Sequence, residues 1–151
     1  RRIGALGLGG RVRMLGTVPH GELLKLYRDR RPDCVVLPSV DLGGGLHEGL
    51  SVALIEAMAH GVPVIATLTG GIPELLEGGA GLLVPPADAG ALADALERML
   101  DSASLRAELA GAGRRRIEEE FDVAAIAREL TRRFAGEPAR EPAPAIAGDR
   151  G

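Results

Sequence analysis

Apolar residues along the chain follow two alternating patterns, which together predict an α/β protein. Three short runs are apolar almost throughout, "CVVLP" (34–38), "PVIAT" (63–67) and "GLLVP" (81–85), and such runs are typical of strands that are buried on both faces. The segments that follow them carry apolar residues every three or four positions, which is the spacing of an amphipathic helix. Repeated strand-then-helix units predict a parallel sheet with helices on both faces.

The same patterns outline the other elements of one domain, which we expect to span residues 1–136. Charged and apolar residues alternate in "RVRMLG" (11–16), which predicts a first strand, whereas residues 137–151 have too little apolar surface and are predicted to be a disordered tail. Helices are predicted at 21–30, 73–77 and 105–120. Another helix is predicted to carry Leu54, Ile55, Met58 and Ala59 and to end at Gly61. Two more are predicted to be capped by aspartates, one by Asp88 with Leu92, Ala95, Leu96 and Met99 on one face, and one by Asp122 with Val123, Ile126, Leu130 and Phe134.

The charge balance argues against a nucleic-acid-binding protein. The net charge is −3, and one tyrosine and two phenylalanines leave little aromatic surface for base stacking. No run is long and apolar enough to predict a membrane span. The only cysteine, Cys34, lies in a predicted strand, which favours a buried structural thiol and a cytoplasmic protein.

The stretch "HEGLSVALIEAMAHGVP" places two carboxylates, Glu48 and Glu56, eight positions apart around the start of a predicted helix. The loop before this helix leaves the end of a buried strand, and ligands of parallel sheets collect at that edge. Free N–H groups at a helix start, here those of Leu50 and Ser51, form a receptor for phosphate. Gly49 would let a ligand approach the backbone closely, or would adopt a positive φ.

The distance between the two acids limits what they can bind together. Eight residues of helix rise by about 12 Å, so the acids cannot hold one atom. They could bracket an elongated ligand, because a carboxylate accepts hydrogen bonds from neighbouring hydroxyls and offers no competing donor. A solvated helix face that carries two glutamates is the other interpretation of the same spacing.

Four segments, "VLPSV", "EGLSVALIEAMAHGVPVIAT", "GGIPELL" and "GLLVPP", carry a resemblance to a known family. They resemble the nucleotide-sugar-binding half of the retaining glycosyltransferases of family four, also called glycosyl transferases group 1, which have the GT-B fold. The match runs from about Val12 to Arg116. The resemblance implies that Glu48 contacts the donor sugar, that the amides after Gly49 meet the sugar and the phosphates, and that Glu56 accepts hydrogen bonds from the ribose hydroxyls.

Two further features follow from the resemblance. The loop after the predicted first strand would lie against the nucleotide base through Thr17 and Val18, although packing explains Val18 equally well. The glycine pair at 70–71 resembles the family's next donor-side loop, and a simple turn explains it as well.

His20 and His60 are predicted to be turn residues, and their positions do not have the geometry of a metal site.

The fold that the resemblance implies is a Rossmann-like domain, a partial GT-B C-terminal domain. Its first two strands and the whole acceptor-binding N-terminal domain would be missing, and with them the Arg/Lys pair that usually holds the pyrophosphate. Because the missing strands separate the 11–16 strand from the 34–38 strand in the family's sheet, we expect the first strand to lack its neighbours or to be displaced.

The activity that the resemblance implies is transfer of a hexose from a nucleotide diphosphate sugar, such as a UDP- or GDP-hexose, to an acceptor hydroxyl with retention of configuration. The loop at 40–47 resembles that of a subgroup acting on polysaccharide or surface-glycan precursors. We expect no cofactor and no bound metal. A saccharide or lipid-linked acceptor, and any peripheral membrane contact, would be met by the missing part.

Two alternatives stay open. The chain could be a non-catalytic nucleotide-binding remnant, or it could come from a nucleotide-sugar epimerase of the same fold. A phosphorylase would need a lysine that binds pyridoxal phosphate, and the only lysine, Lys25, lies on a predicted amphipathic helix away from the glycine loops.

Overall fold

The structure, a computed structural model, describes residues 2–40, 49 and 51–135. Within them three strands form one parallel sheet, β1 (Val35–Leu37), β2 (Val64–Thr67) and β3 (Leu82–Val84), in the spatial order β1–β2–β3. Ile65 of β2 lies opposite Val36 on one side and Leu82 on the other. The three apolar runs are therefore strands, as their composition predicts.

Helices precede, connect and follow the strands. Within the described residues they are α1 (Arg2–Ala5), α2 (His20–Arg28), α3 (Val52–Ala59), α4 (Ile72–Leu75), α5 (Ala89–Asp101), α6 (Ala103–Arg116) and α7 (Val123–Phe134), with a 3₁₀ turn at Glu77–Gly79 and a π-helical turn at Ile117–Phe121.

Helices cover both faces of the sheet, because successive side chains of each strand point to opposite sides. Val64 and Ala66 of β2 belong to one apolar cluster and Ile65 to another, and all three are buried. The first cluster adds Tyr27, Leu54, Ala57, Met58, Ile72, Leu75 and Ile117 from α2, α3, α4 and the π-helical turn, and the second adds Ala95, Met99 and Leu109 from α5 and α6. The predicted parallel sheet with helices on both faces is confirmed.

The helix start and stop signals in the sequence act where they were expected. Asp88 precedes α5, and its Oδ1 accepts a hydrogen bond of 2.9 Å from the N–H of Ala91. Gly61 follows α3 with a φ of +68°, a conformation in which a Cβ would be strained. Asp122 precedes α7 and accepts from the N–H of Ala124 at 2.9 Å.

The strand predicted at Arg11–Gly16 is wrong. Residues 12–16 have no regular secondary structure, and Val12 and Met14 are 40% and 79% exposed. A β-strand needs a neighbour that pairs with its N–H and C=O groups, and none of the described strands supplies one, since β1 pairs only with β2. The segment therefore has no strand neighbour among the described residues, and the explanation by missing strands stays a prediction.

The helix predicted over 105–120 ends its α-helical part early, at Arg116. The guanidinium of Arg116 donates to the carbonyl of Glu74 at 2.8 Å and lies 5.7 Å from the centre of the Phe121 ring. It also pairs with Glu120. These contacts join the π-helical turn to α4. The predicted 73–77 helix is shorter than expected and is followed by a 3₁₀ turn.

The last helix forms with the predicted register, but its apolar face does not pack on the described core. Val123, Ile126, Leu130 and Phe134 are 81%, 44%, 48% and 89% exposed. Their spacing indicates a helix with one apolar face, and the sequence pattern says nothing about which surface covers that face. Residues 137–151, predicted to be a disordered tail, lie outside the described residues.

Two glycines of α6 provide a test of how closely α6 packs against the core. A Cβ at Gly113 would lie 3.0 Å from the backbone oxygen of Ala80 and 3.4 Å from Met58, whereas a Cβ at Gly111 would meet only the flexible end of Arg115. We expect Gly113→Ala to lower the free energy of unfolding by about 1–2 kcal/mol, because overpacking outweighs the gain in helix propensity. Gly111→Ala should raise it by about 0.5–1 kcal/mol.

Urea denaturation of the two variants beside the unchanged chain measures both effects. Since the substitution is the same and the two sites lie half a turn apart on one helix, helix propensity cancels in the comparison. Equal shifts for the two variants would show that α6 does not pack closely at Gly113.

Candidate functional site

The carboxyl ends of the three strands meet at one edge of the sheet because the strands are parallel. Thr67, the last residue of β2, is buried, and its hydroxyl donates a hydrogen bond of 2.6 Å to the carbonyl of Ser39, just beyond β1. The N–H of Leu68 donates to the carbonyl of Val84, the last residue of β3, at 2.9 Å. The chain segments that leave the sheet are thus held side by side at this edge.

Helix α3 begins at the same edge. Ser51, its N-cap residue, is buried, and its carbonyl accepts the first bond of the helix, from Ile55, at 3.0 Å. Within the described residues the Ser51 side chain does not cap the helix. Apart from Gly49 itself and its two chain neighbours, no described atom lies within 4 Å of where a Cβ at Gly49 would stand.

Of the predicted site residues around α3, Glu48 and Leu50 lie outside the described residues. Their roles at the donor sugar and the phosphates therefore stay predictions. Glu56 is described, and it lies on α3, five residues after Ser51.

The carboxylate of Glu56 is held by a histidine from another helix. The Nε2 atom of His20, the first residue of α2, lies 2.7 Å from Oε1 of Glu56, although the two residues are 36 positions apart in the chain. The side chain of Glu56 is 24% exposed and that of His20 is 64% exposed. Glu56 is therefore neither a freely solvated surface acid nor a buried one, and a dissolved ligand can reach it.

A second histidine and a tyrosine lie near Glu56. His60 contacts the backbone carbonyl of Glu56 through Nδ1 at 2.8 Å. Its ring lies 6.0 Å from the ring of Tyr27, which is buried. Burial raises the pKa of the Tyr27 phenol above its ordinary value, and the negative charge of Glu56 raises it further.

Thr17 and Val18, the residues predicted to lie near a nucleotide base, stand directly before α2. Thr17 is exposed and Val18 is half-buried. Pro19 follows them, and its carbonyl accepts from Glu22 and Leu23 in the first turn of α2. Because His20 contacts Glu56, the structure brings the 17–18 segment to the same side of the sheet as Glu56. Their contact with a base stays a prediction.

The glycine pair at 70–71 lies in the loop that leaves β2. Gly70 has a φ of +52°, which favours glycine, and Gly71 is the N-cap residue of α4. A turn is therefore present, in agreement with the simpler interpretation of these glycines. Their donor-side role stays a prediction.

Sequence reasoning missed His20, which it treated as a turn residue. A local pattern could not reveal the contact, since the partner is 36 positions away. Among the described residues, no group of three His, Cys, Asp or Glu side chains is arranged to hold a metal ion. The expectation that the protein binds no metal stays a prediction.

Cys34 packs against the second apolar cluster but is only half-buried, so the predicted burial of this thiol is partial. Burial raises the pKa of its thiol, Asp33 raises it further and Arg106 opposes the shift. A raised pKa disfavours the reactive thiolate, in agreement with a structural role. None of the described helices is both long and apolar enough to cross a bilayer.

Comparison with known proteins identifies the family. A family model described as glycosyl transferases group 1 matches residues 1–116. The chain belongs to this family. The resemblance inferred from the acid-helix segments is confirmed, and the parallel sheet with its helices is a Rossmann-like C-terminal domain of the GT-B type.

Two curated relatives of the chain have sequence identities above 30%. The chain is 39% identical over 120 residues to the amylovoran biosynthesis glycosyltransferase AmsK of Erwinia amylovora, with 79% of this chain and 29% of that protein covered. It is 34% identical over 128 residues to the GDP-mannose-dependent monoacylated alpha-(1-6)-phosphatidylinositol monomannoside mannosyltransferase of Corynebacterium glutamicum, with 84% and 33% covered. The chain thus spans about a third of the length of these relatives.

A solved structure of similar fold contains a nucleotide sugar. The crystal structure of Anabaena Alr3699/HepE in complex with UDP-glucose superimposes with a TM-score of 0.74 at 27% sequence identity, and the match covers 89% of this chain and 35% of that one.

The single tyrosine of the chain gives a direct probe of Glu56. We expect Glu56→Gln to lower the pKa of Tyr27, because it removes the negative charge that disfavours the phenolate. The pKa should stay above the ordinary 10.0, since burial, the larger cause, is retained. Ultraviolet absorbance of the phenolate against pH measures the change without interference from other tyrosines.

Glu22→Gln is the matched control, because Glu22 lies on the same helix as Tyr27 but does not contribute to its shift. An unchanged titration in Glu56→Gln, or an equal change in both variants, would contradict the placement of the Glu56 carboxylate beside Tyr27.

Proposed function

We propose that this chain is the donor-binding portion of a retaining hexosyltransferase, which transfers a hexose from a nucleotide diphosphate sugar to an acceptor hydroxyl. The observation that carries the proposal is the placement of Glu56. It lies on the helix that starts at the carboxyl edge of a parallel sheet, partly exposed and fixed by His20. That edge is where α/β sheets bind nucleotides.

The chemistry of each group fits one part of such a donor. The N–H groups of the first turn of α3 suit the diphosphate, which carries negative charge. Glu56, further along the helix, accepts hydrogen bonds from the ribose hydroxyls. The backbone of Thr17 and Val18 lies beyond the ribose, against the base.

During transfer the bond between the anomeric carbon and the diphosphate oxygen breaks, and a bond from that carbon to the acceptor oxygen forms. The acceptor hydroxyl loses its proton, which passes to the leaving diphosphate. The leaving diphosphate gains negative charge, and preorganised N–H donors at the start of α3 would stabilise it. We assign Glu48 to positioning of the sugar rather than to nucleophilic attack. The reaction proposed here uses no cofactor and no bound metal.

The remaining parts of the proposal rest on similarity. The named role of AmsK in amylovoran biosynthesis supports a pathway that builds a polysaccharide or surface glycan, and the bound UDP-glucose of the Anabaena protein supports a nucleotide-sugar donor. The acceptor, a saccharide or lipid-linked sugar, would be bound outside this chain, and catalysis would take place in the cytoplasm.

Two substitutions in the full-length protein test the assignment. We expect Glu56→Ala to weaken binding of the nucleoside diphosphate by about tenfold to a hundredfold, because hydrogen bonds to a carboxylate contribute about 1.5–3 kcal/mol. Glu48→Ala should lower kcat with a smaller effect on nucleotide affinity, because its contact is with the sugar. Calorimetry with UDP, GDP and ADP measures the first effect, and steady-state transfer assays measure the second.

Glu97→Ala, which removes an exposed glutamate from α5, is the matched control and should change neither quantity. Proton NMR of the product tests retention at the anomeric carbon. Nucleotide binding without sugar transfer by the full-length protein would favour the non-catalytic alternative, and unchanged constants in both variants would remove Glu48 and Glu56 from the site.

A further inference from the structure

We propose that His20 is a positioning residue for nucleotide binding, which orients the carboxylate of Glu56 toward the ribose. The proposal rests on the proposed function and adds a residue to it. Its starting point is the hydrogen bond of 2.7 Å between Nε2 of His20 and Oε1 of Glu56.

The bond fixes which atoms of the pair remain available. An ionised carboxylate only accepts hydrogen bonds, so Nε2 of His20 must carry the hydrogen. The bond uses one lone pair of Oε1. Oε2 and the remaining lone pair of Oε1 can still accept from two neighbouring hydroxyls. His20 therefore fixes the carboxylate without consuming its capacity to bind a diol.

The backbones on both sides of the bond are anchored in the core, whereas the Glu56 side chain is not. On α3, Ala57 and Met58 are buried beside Glu56. On α2, Tyr27 is buried and Leu23 packs against the same cluster. A glutamate side chain has several rotamers, and fixing it in one of them has an entropic cost. The contact from α2 selects one rotamer before a ligand arrives.

The position of His20 in the chain connects its contact with Glu56 to nucleotide recognition. His20 follows Thr17 and Val18 after a single proline, so one short segment carries both the base-contacting backbone and the group that holds the ribose-binding acid. The segment and α3 are joined across the fold by this bond. The backbone that contacts the base and the carboxylate that binds the ribose are thereby fixed relative to each other.

The contact between His20 and Glu56 is too exposed to contribute much to the stability of the fold. His20 is 64% exposed, and polar contacts at such exposed positions contribute little to the free energy of unfolding. Replacement of His20 should therefore leave the fold intact, so an effect on ligand binding can be read without a folding defect.

Calorimetric titration of the full-length protein with UDP and GDP tests the proposal. We expect His20→Ala to weaken binding of the preferred nucleotide by about three- to tenfold, the effect of losing one orienting hydrogen bond. His20→Gln should recover most of the affinity, because the glutamine amide can donate to the same carboxylate. In transfer assays His20→Ala should raise the donor KM and leave kcat nearly unchanged.

A double-mutant cycle with Glu56→Ala separates positioning from a direct or purely structural effect. If His20 acts through Glu56, His20→Ala should cause no further loss once Glu56 is absent. Lys25→Ala, an exposed change on the same helix, should leave affinity unchanged. The thermal midpoint of His20→Ala should stay within the range of this control.

The outcomes distinguish the two proposals. If Glu56→Ala weakens nucleotide binding and His20→Ala does not, the positioning role is overturned and the proposed function stands. Equal losses from His20→Ala with and without Glu56 would also overturn it. If Glu56→Ala itself has no effect on nucleotide affinity, the ribose site is wrong and the positioning role fails with it.

Discussion

Burial of β2 on both faces is the constraint on which the other features of the described structure depend. Val64 and Ala66 face one apolar cluster and Ile65 faces the other, so water is excluded only if helices cover both sides. The helices that connect the strands lie across the faces of the sheet and return the chain in the same direction. The strands are therefore parallel, and their carboxyl ends share one edge.

That shared edge creates the candidate site. Helix α3 must start there because it leaves the end of β1 and returns to the beginning of β2. Helix α2, which precedes β1, must run back toward the other edge, so its first residue, His20, also stands at the carboxyl edge. The hydrogen bond between His20 and Glu56 joins the two helices at this point. The site thus depends on how α2 and α3 pack through Tyr27, Leu54 and Met58.

The sequence predicted those elements whose causes are local. The apolar runs of β1, β2 and β3, the cap at Asp88 and the stop at Gly61 each depend on residues within a few positions, and the structure confirms them. The Arg11–Gly16 strand failed because a strand is stable only when another strand pairs with it, which alternation alone cannot show. The π-helical turn after α6 was missed because Arg116 is held by Glu74, 42 positions earlier in the chain.

The sequence by itself determined the layered α/β class and the family, because apolar periodicity and the matching segments are properties of the chain. The roles of Glu48 and Glu56 stay predictions. Only the tertiary structure decided that His20 holds Glu56, and that the apolar face of α7 stays exposed among the described residues. The physical reason is the distance along the chain over which each interaction acts. Periodicity and capping act over a few residues, whereas a contact across 36 positions exists only once the sheet has set the directions of the helices that carry it.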